Sequence, residues 1–119
     1  MIKQFLLVGF GGAIGSVLRY AGNVLYSSRS FPVTTLLINI IGSFAIGMVI
    51  AFSIKNNSSA NWKLFLATGL CGGFTTFSAF SLENLLLIQN GKFLLSMLYI
   101  GSSILLGITA AWLGYKLIN

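Results

Sequence analysis

"GLCGGFTTFSAF", residues 69–80, sits inside an apolar run long enough to cross a membrane, yet it carries paired glycines, paired threonines, a serine and three phenylalanines. A helix that only faces lipid needs none of these. Gly72 and Gly73 are poor helix formers. Thr75 and Thr76 lose rotamer freedom in a helix, and their hydroxyls can bond backbone groups that unwinding frees. The stretch therefore predicts a third helix broken near its middle. At membrane depth such a break survives only where it is buried in protein or lines a polar cavity. Its carbonyls can hold a cation, and its half-helix ends bias the local field. Phe77 and Phe80 are three apart and share a helix face. Ring edges are positive, so they can meet an anion without the grip of a full charge. Ordinary packing or lipid contact is the alternative for both rings.

The rest of the chain supplies the frame. Of 119 residues, 56% are hydrophobic and 7% charged, with a mean hydropathy of +0.94. A soluble domain carries about 25% charged residues, so this composition is that of a membrane protein. Residues 4–18, 30–54, 64–82 and 93–115 hold no charge at all. A spanning helix needs about 20 apolar residues. The pattern predicts an all-α membrane protein, one domain over 1–119, with four transmembrane helices near 4–26, 32–54, 62–88 and 93–117. Short polar segments join them: "YSSRSFP", "KNNSSANWK" and "QNGK".

Composition also excludes functions. The absence of His and a single Cys rule out Cys/His catalysis, a zinc site and an internal disulfide, so no enzyme is expected. The net charge of +6 comes from basic residues spread singly, which suits anionic lipid headgroups and not nucleic acid. "MIKQFLLVGFGGAIG" has the form of a signal peptide, but apolar character resumes past Arg19, so it is read as the first span. "GFGGAIG" fails as a dinucleotide fingerprint because Ile14 stands where the third glycine belongs.

Four spans put Lys3, Lys55, Lys63 and Lys116 on one side, and Arg29 and Lys92 on the other, with Arg19 near the end of the first helix. Orientation normally follows a clear excess of Lys and Arg on the cytoplasmic side. Four against three leaves two readings: insertion both ways up as an antiparallel dimer, or orientation decided by one or two charges. Gly11 with Gly15, and Gly12 with Ser16, are small pairs four apart that allow close helix contact within or between chains.

Polar residues inside spans need partners. Asn39 has Thr35 one turn before it and Gly42 and Ser43 one turn after. It is either an interhelical hydrogen-bonder, worth about 0.6 kcal/mol, or an amide aimed into a polar conduit. Ser96, Tyr99, Ser103 and Gly107 share a face of the fourth helix and form a ladder able to pass a small ion between hydroxyls. Arg19 and Glu83 are the charges placed within helices, either as an ion pair or with Glu83 as a gate or entry residue. Cys71 reads as inert packing.

With these residues in view, the chain resembles the Fluc fluoride channels, or CrcB-like proteins, along essentially its whole length. "GGAIGSVLRY" at 11–20, "TLLINIIGSFAIG" at 35–47 and above all "GLCGGFTTFSAFSLE" at 69–83 carry the resemblance. Ser16, Thr34 and Ala79 stand where Ala, Gly and Thr are expected, and Ala79 loses a hydroxyl beside the proposed path. The resemblance implies a passive fluoride channel of the bacterial inner membrane that exports cytoplasmic fluoride. It implies an antiparallel dual-topology homodimer with two anion pathways and a central structural sodium ion. Main-chain carbonyls of Gly72 and Thr75 from both subunits would hold the sodium. Phe77 and Phe80 would line the anion path, Asn39 would donate its amide, and Tyr99 and Ser103 would supply a polar track. Thr35, Ser78 and Glu83 would serve one vestibule.

The implication is physically coherent. Fluoride is small and strongly hydrated, and conduction needs weak, multiple sites in place of one tight one. No Lys lies at a helix centre to trap the ion. Two other classes compete. A small multidrug exporter needs a membrane-embedded acid in the first helix, which has none. A non-transporting membrane scaffold leaves the glycine–threonine stretch, the phenylalanine pair and the hydroxyl ladder without a common purpose.

Overall fold

The computed structural model describes residues 1–25, 32–57 and 60–119; Arg29, counted above among the loop charges, lies outside the described residues. All described elements are helical: α1 (Ile2–Leu25), α2 (Val33–Lys55), α3 (Ala60–Lys63), a π-helix over Leu64–Cys71, α4 (Gly72–Phe74), α5 (Phe77–Gln89) and α6 (Phe93–Ile118). Four stretches are long and apolar enough to cross a membrane: Ile2–Leu25, Val33–Lys55, Ala60–Gln89 and Phe93–Ile118. The shortest of these, 23 residues, spans roughly 35 Å at about 1.5 Å per residue, against a hydrocarbon core of about 30 Å. The first and third spans each begin two residues earlier than expected.

Local chemistry explains the ends. Pro32 stands immediately before α2, where a missing N–H costs the helix nothing. Gly91 has φ +75°, a left-handed conformation that lets α6 double back on α5 after a three-residue turn. Lys55 closes α2 and donates from Nζ to the Ile118 carbonyl at the end of α6 (3.3 Å). A cation there complements the negative ends of both helices. Lys116 sits 5.8 Å from the Trp112 ring centroid, a cation–π pair of the kind that anchors a helix at a membrane surface.

Glycine contacts fix the relative directions of the spans. A Cβ on Gly11 would meet Gly69 and Leu70, and one on Gly15 would strike Leu70 and Phe74. The first span and the third therefore run parallel. The small pairs of α1 are thus used within the chain, against the π-helix and α4. In the same way Gly47 faces Ala111 and Tyr115, and Gly114 faces Phe44 and Met48, so α2 and α6 run parallel and pack along most of their length. Thr35 opposite Glu83 and Gly42 opposite Thr75 set α2 antiparallel to the third span. The four spans thus alternate in direction.

These contacts yield a prediction. Gly114→Leu drives a side chain into the Phe44 backbone. It should cost about 3 kcal/mol, the upper range for overpacking, and abolish monodisperse elution in detergent. Gly9→Ala meets nothing within 4 Å and should elute as the wild type, with thermal stability unchanged or raised by about 0.5–1 kcal/mol.

The third span bends at its midpoint. Thr75 has φ −83° and ψ 157°, and Thr76 has φ −150° and ψ 123°, so two residues leave helical torsion angles between Phe74 and Phe77. The bend is packed under α2 at Gly42, where a Cβ would overlap the Thr75 methyl.

Candidate functional site

Hydrogen bonding at the bend is redistributed in a specific way. The Thr76 N–H, which an uninterrupted helix would give to the Gly72 carbonyl, donates instead to Asn39 Oδ1 at 3.0 Å. Asn39 Nδ2 donates back to the Thr76 carbonyl at 3.4 Å. The Ala79 N–H, which would otherwise seek the Thr75 carbonyl, bonds Thr76 Oγ1 at 3.2 Å as the N-cap of α5. Thr75 turns its own N–H and hydroxyl back to the Cys71 carbonyl (3.0 and 2.9 Å). Arg19 Nε donates to the Gly73 carbonyl at 3.2 Å. The carbonyls of Gly72, Gly73, Phe74 and Thr75 all lose their helical donors at the bend, and that of Gly73 takes Arg19 in exchange.

A second cluster lies beside the bend. Glu83 accepts from Thr35 Oγ1 through Oε2 and from the Tyr99 hydroxyl through Oε1, both at 2.8 Å. Arg19 and Glu83 are therefore not an ion pair; each has a different set of partners. Tyr99 is fully buried and meets the Phe80 ring edge-on, with centroids 4.9 Å apart and planes at 63°. Phe77 lies 5.7 Å from Phe80 and is 78% exposed. Ser78 shares a hydrogen bond with the Thr76 hydroxyl (3.2 Å).

The expected ladder on α6 divides into separate rungs. Ser96 is fully buried and donates to Asn84 Oδ1 at 2.7 Å, so it faces a neighbouring helix and not an open path. Tyr99 is committed to Glu83. The Ser103 hydroxyl, by contrast, is buried and has no hydrogen-bond partner. Sequence reasoning passed over Asn84, although an asparagine one turn after Phe80 in a membrane-spanning helix is a visible signal.

One open cleft of about 400 Å³ gathers much of this. Asn39, Gly72, Thr75, Phe77, Phe80 and Ser103 all line it, with the small residues Gly42, Ser43 and Gly107. Thr35, Tyr99 and Glu83 lie behind it, joined through the Phe80–Tyr99 ring contact. Among the described residues no group of His, Cys, Asp or Glu is arranged to hold a metal. A cation at the bend would be met by oxygen ligands, and the Gly72 and Thr75 carbonyls are among those that have lost their helical donors.

The family model for CrcB-like proteins, described as camphor resistance (CrcB), matches residues 6–115. The chain belongs to the CrcB-like family. Its similarity to curated relatives extends over nearly full length. A protein of Azobacteroides pseudotrichonymphae named fluoride-specific ion channel FluC is 47% identical, over 98% of this chain and 97% of its own. Proteins of the same name from Oceanobacillus iheyensis and Thermus thermophilus are 47% and 44% identical, each over 98% of this chain and over 92% and 95% of their own. With four spans and this family, the chain is a multi-pass membrane protein, which in a bacterium places it in the cell membrane.

Proposed function

We propose that this protein is a fluoride-selective passive channel that exports cytoplasmic fluoride. The full-length likeness to relatives named for that activity carries the reading. The cleft supports it chemically. A dehydrated fluoride needs donors and positive edges, and the cleft offers the second amide N–H of Asn39, the unpartnered Ser103 hydroxyl, and the rings of Phe77 and Phe80. The N-terminus of α5 points its positive end into the middle of the third span. No lysine lies in the cleft, in keeping with weak multiple sites. Tyr99 continues the track behind Phe80, and Thr35, Ser78 and Glu83 serve the vestibule beyond.

The functional unit in this reading is an antiparallel, dual-topology homodimer with two anion pathways. The exposure of Phe77 and the open side of the cleft support it, because a single chain leaves the path unwalled. The bend acts as the break at which the Gly72 and Thr75 carbonyls of both copies would hold a structural sodium ion. A buried cation there would add positive potential without lying in the path. A proton-coupled multidrug exporter fits less well, since the sole acid, Glu83, is occupied by two hydroxyls.

Ion efflux from liposomes containing the purified protein tests the reading. Rapid fluoride release with negligible chloride release is the expected result. Fluoride release no faster than from empty liposomes would sink it.

A further inference from the structure

We propose that Asn84 and Ser96 are positioning residues for the aromatic edge of the pathway: the buried chain Ser96–Asn84–Phe80 sets α5 on α6 so that the Phe80 ring meets Tyr99 and lines the cleft. The inference rests on the channel reading above and adds two residues to it.

The bend creates the need for such a device. Thr75 and Thr76 interrupt the third span, so α5 does not inherit its rotation or height from the helix before it. Cross-links must fix both. Asn39 ties down the start of α5 at Thr76. Farther along, α5 meets α6 over a short stretch only, while α6 packs chiefly on α2. There the Ser96 hydroxyl donates to Asn84 Oδ1 at 2.7 Å, and Asn84 Nδ2 donates to the Phe80 carbonyl at 2.9 Å. Ser96 is 0% exposed and Asn84 7%, so neither has water as an alternative partner.

The choice made by Ser96 is informative. A serine in an apolar helix commonly bonds its own backbone. Ser102 on the same helix does so, donating to the Leu98 carbonyl at 2.6 Å. Ser96 instead spans the gap to α5. It lies one turn before Tyr99, and Asn84 one turn after Phe80. The hydrogen-bonded rung and the ring contact thus lock the same two helix faces, one turn apart. The rung ends on the Phe80 backbone itself, and that residue's ring lines the cleft.

The test uses the full-length protein in liposomes, with fluoride release measured per reconstituted protein and Tm measured in detergent. Ser96→Ala should slow release roughly tenfold, a coupling within the usual range for contacting residues. Ser96→Cys keeps the volume and a weak donor and should fall between. Phe80→Ile should slow release on its own. Adding Ser96→Ala to Phe80→Ile should then change the rate by less than about twofold, because the ring that the rung positions is already gone.

The combined variant Asn84→Leu/Ser96→Ala replaces both polar partners by apolar groups and leaves nothing buried and unpaired, so it guards against a misfolded single variant. It too should conduct slowly at near-normal Tm. A lowered Tm with wild-type release in Ser96→Ala or in the combined variant would make the rung a structural rivet and overturn the inference. So would losses that multiply in Phe80→Ile/Ser96→Ala. Wild-type protein that releases no fluoride would overturn the channel reading and this inference with it. Wild-type release with an unaffected Ser96→Ala overturns this inference alone.

Discussion

Asn39→Leu should reduce fluoride release from reconstituted liposomes to the level of empty ones. Asn39 is the side chain that holds the bend open: its oxygen accepts from the Thr76 N–H and its nitrogen donates to the Thr76 carbonyl. Leucine has nearly the same shape and no polar atom. It strands two backbone groups in the bend, at about 1–3 kcal/mol each. The Thr76 N–H then has the Gly72 carbonyl as its nearest alternative, and taking it rewinds the helix across the cleft. The substitution also deletes the free amide N–H proposed to meet the anion. Structure and chemistry therefore fail together, which is why this effect is expected to exceed that of any ring substitution. Asn39→Asp separates the two. It keeps an acceptor for Thr76 and loses the donor, so it should retain wild-type elution while releasing fluoride far more slowly. Initial release rates beside size-exclusion profiles read both outcomes. An Asn39→Leu protein conducting within about twofold of wild type, a difference below about 0.5 kcal/mol, would remove Asn39 from the pathway.

How far these contacts can be read from sequence depends on their range. The four spans follow from uncharged runs, because the cost of charge in hydrocarbon writes itself directly into composition. The oddity of residues 69–80 is equally local, since propensity reports on neighbours. Partners are another matter. Asn39 and Thr76 are 37 positions apart, Thr35 and Glu83 are 48 apart, and Arg19 and Gly73 are 54 apart. Periodicity places each residue on a face and is silent on which face it meets. Hence Ser96 and Tyr99 share a side of α6 as expected, yet the one bonds Asn84 and the other Glu83. The π-helix over Leu64–Cys71 has no local cause either. Nothing in "LFLATGLC" forbids an α-helix, and the wider winding accompanies the close approach of Gly69 and Leu70 to Gly11 and Gly15.

Removing sodium from the first step of purification should abolish both dimer elution and fluoride release, and returning sodium should restore them. The prediction follows from the hydrogen bonds lost at the bend. Gly72 and Thr75 surrender their helical donors to Asn39 and Thr76, leaving carbonyl oxygens at membrane depth in need of another partner. A second copy related by a two-fold axis doubles the set to four neutral oxygens. With no carboxylate among them, such a set favours a monovalent ion over calcium or magnesium, which are normally held with acidic ligands. Arg19 is engaged one residue away, its Nε donating to the Gly73 carbonyl. A site held at a hundred times its Kd supplies about 2.7 kcal/mol to the assembled state, so its loss is large on the scale of a marginal membrane dimer. Elemental analysis of the purified protein decides how the result is read. Sodium-depleted protein that still elutes as a dimer and still releases fluoride would strip Gly72 and Thr75 of the role. Divalent cations should fail to restore either property, and a preparation rescued equally by magnesium would point to an acidic site that these carbonyls do not form.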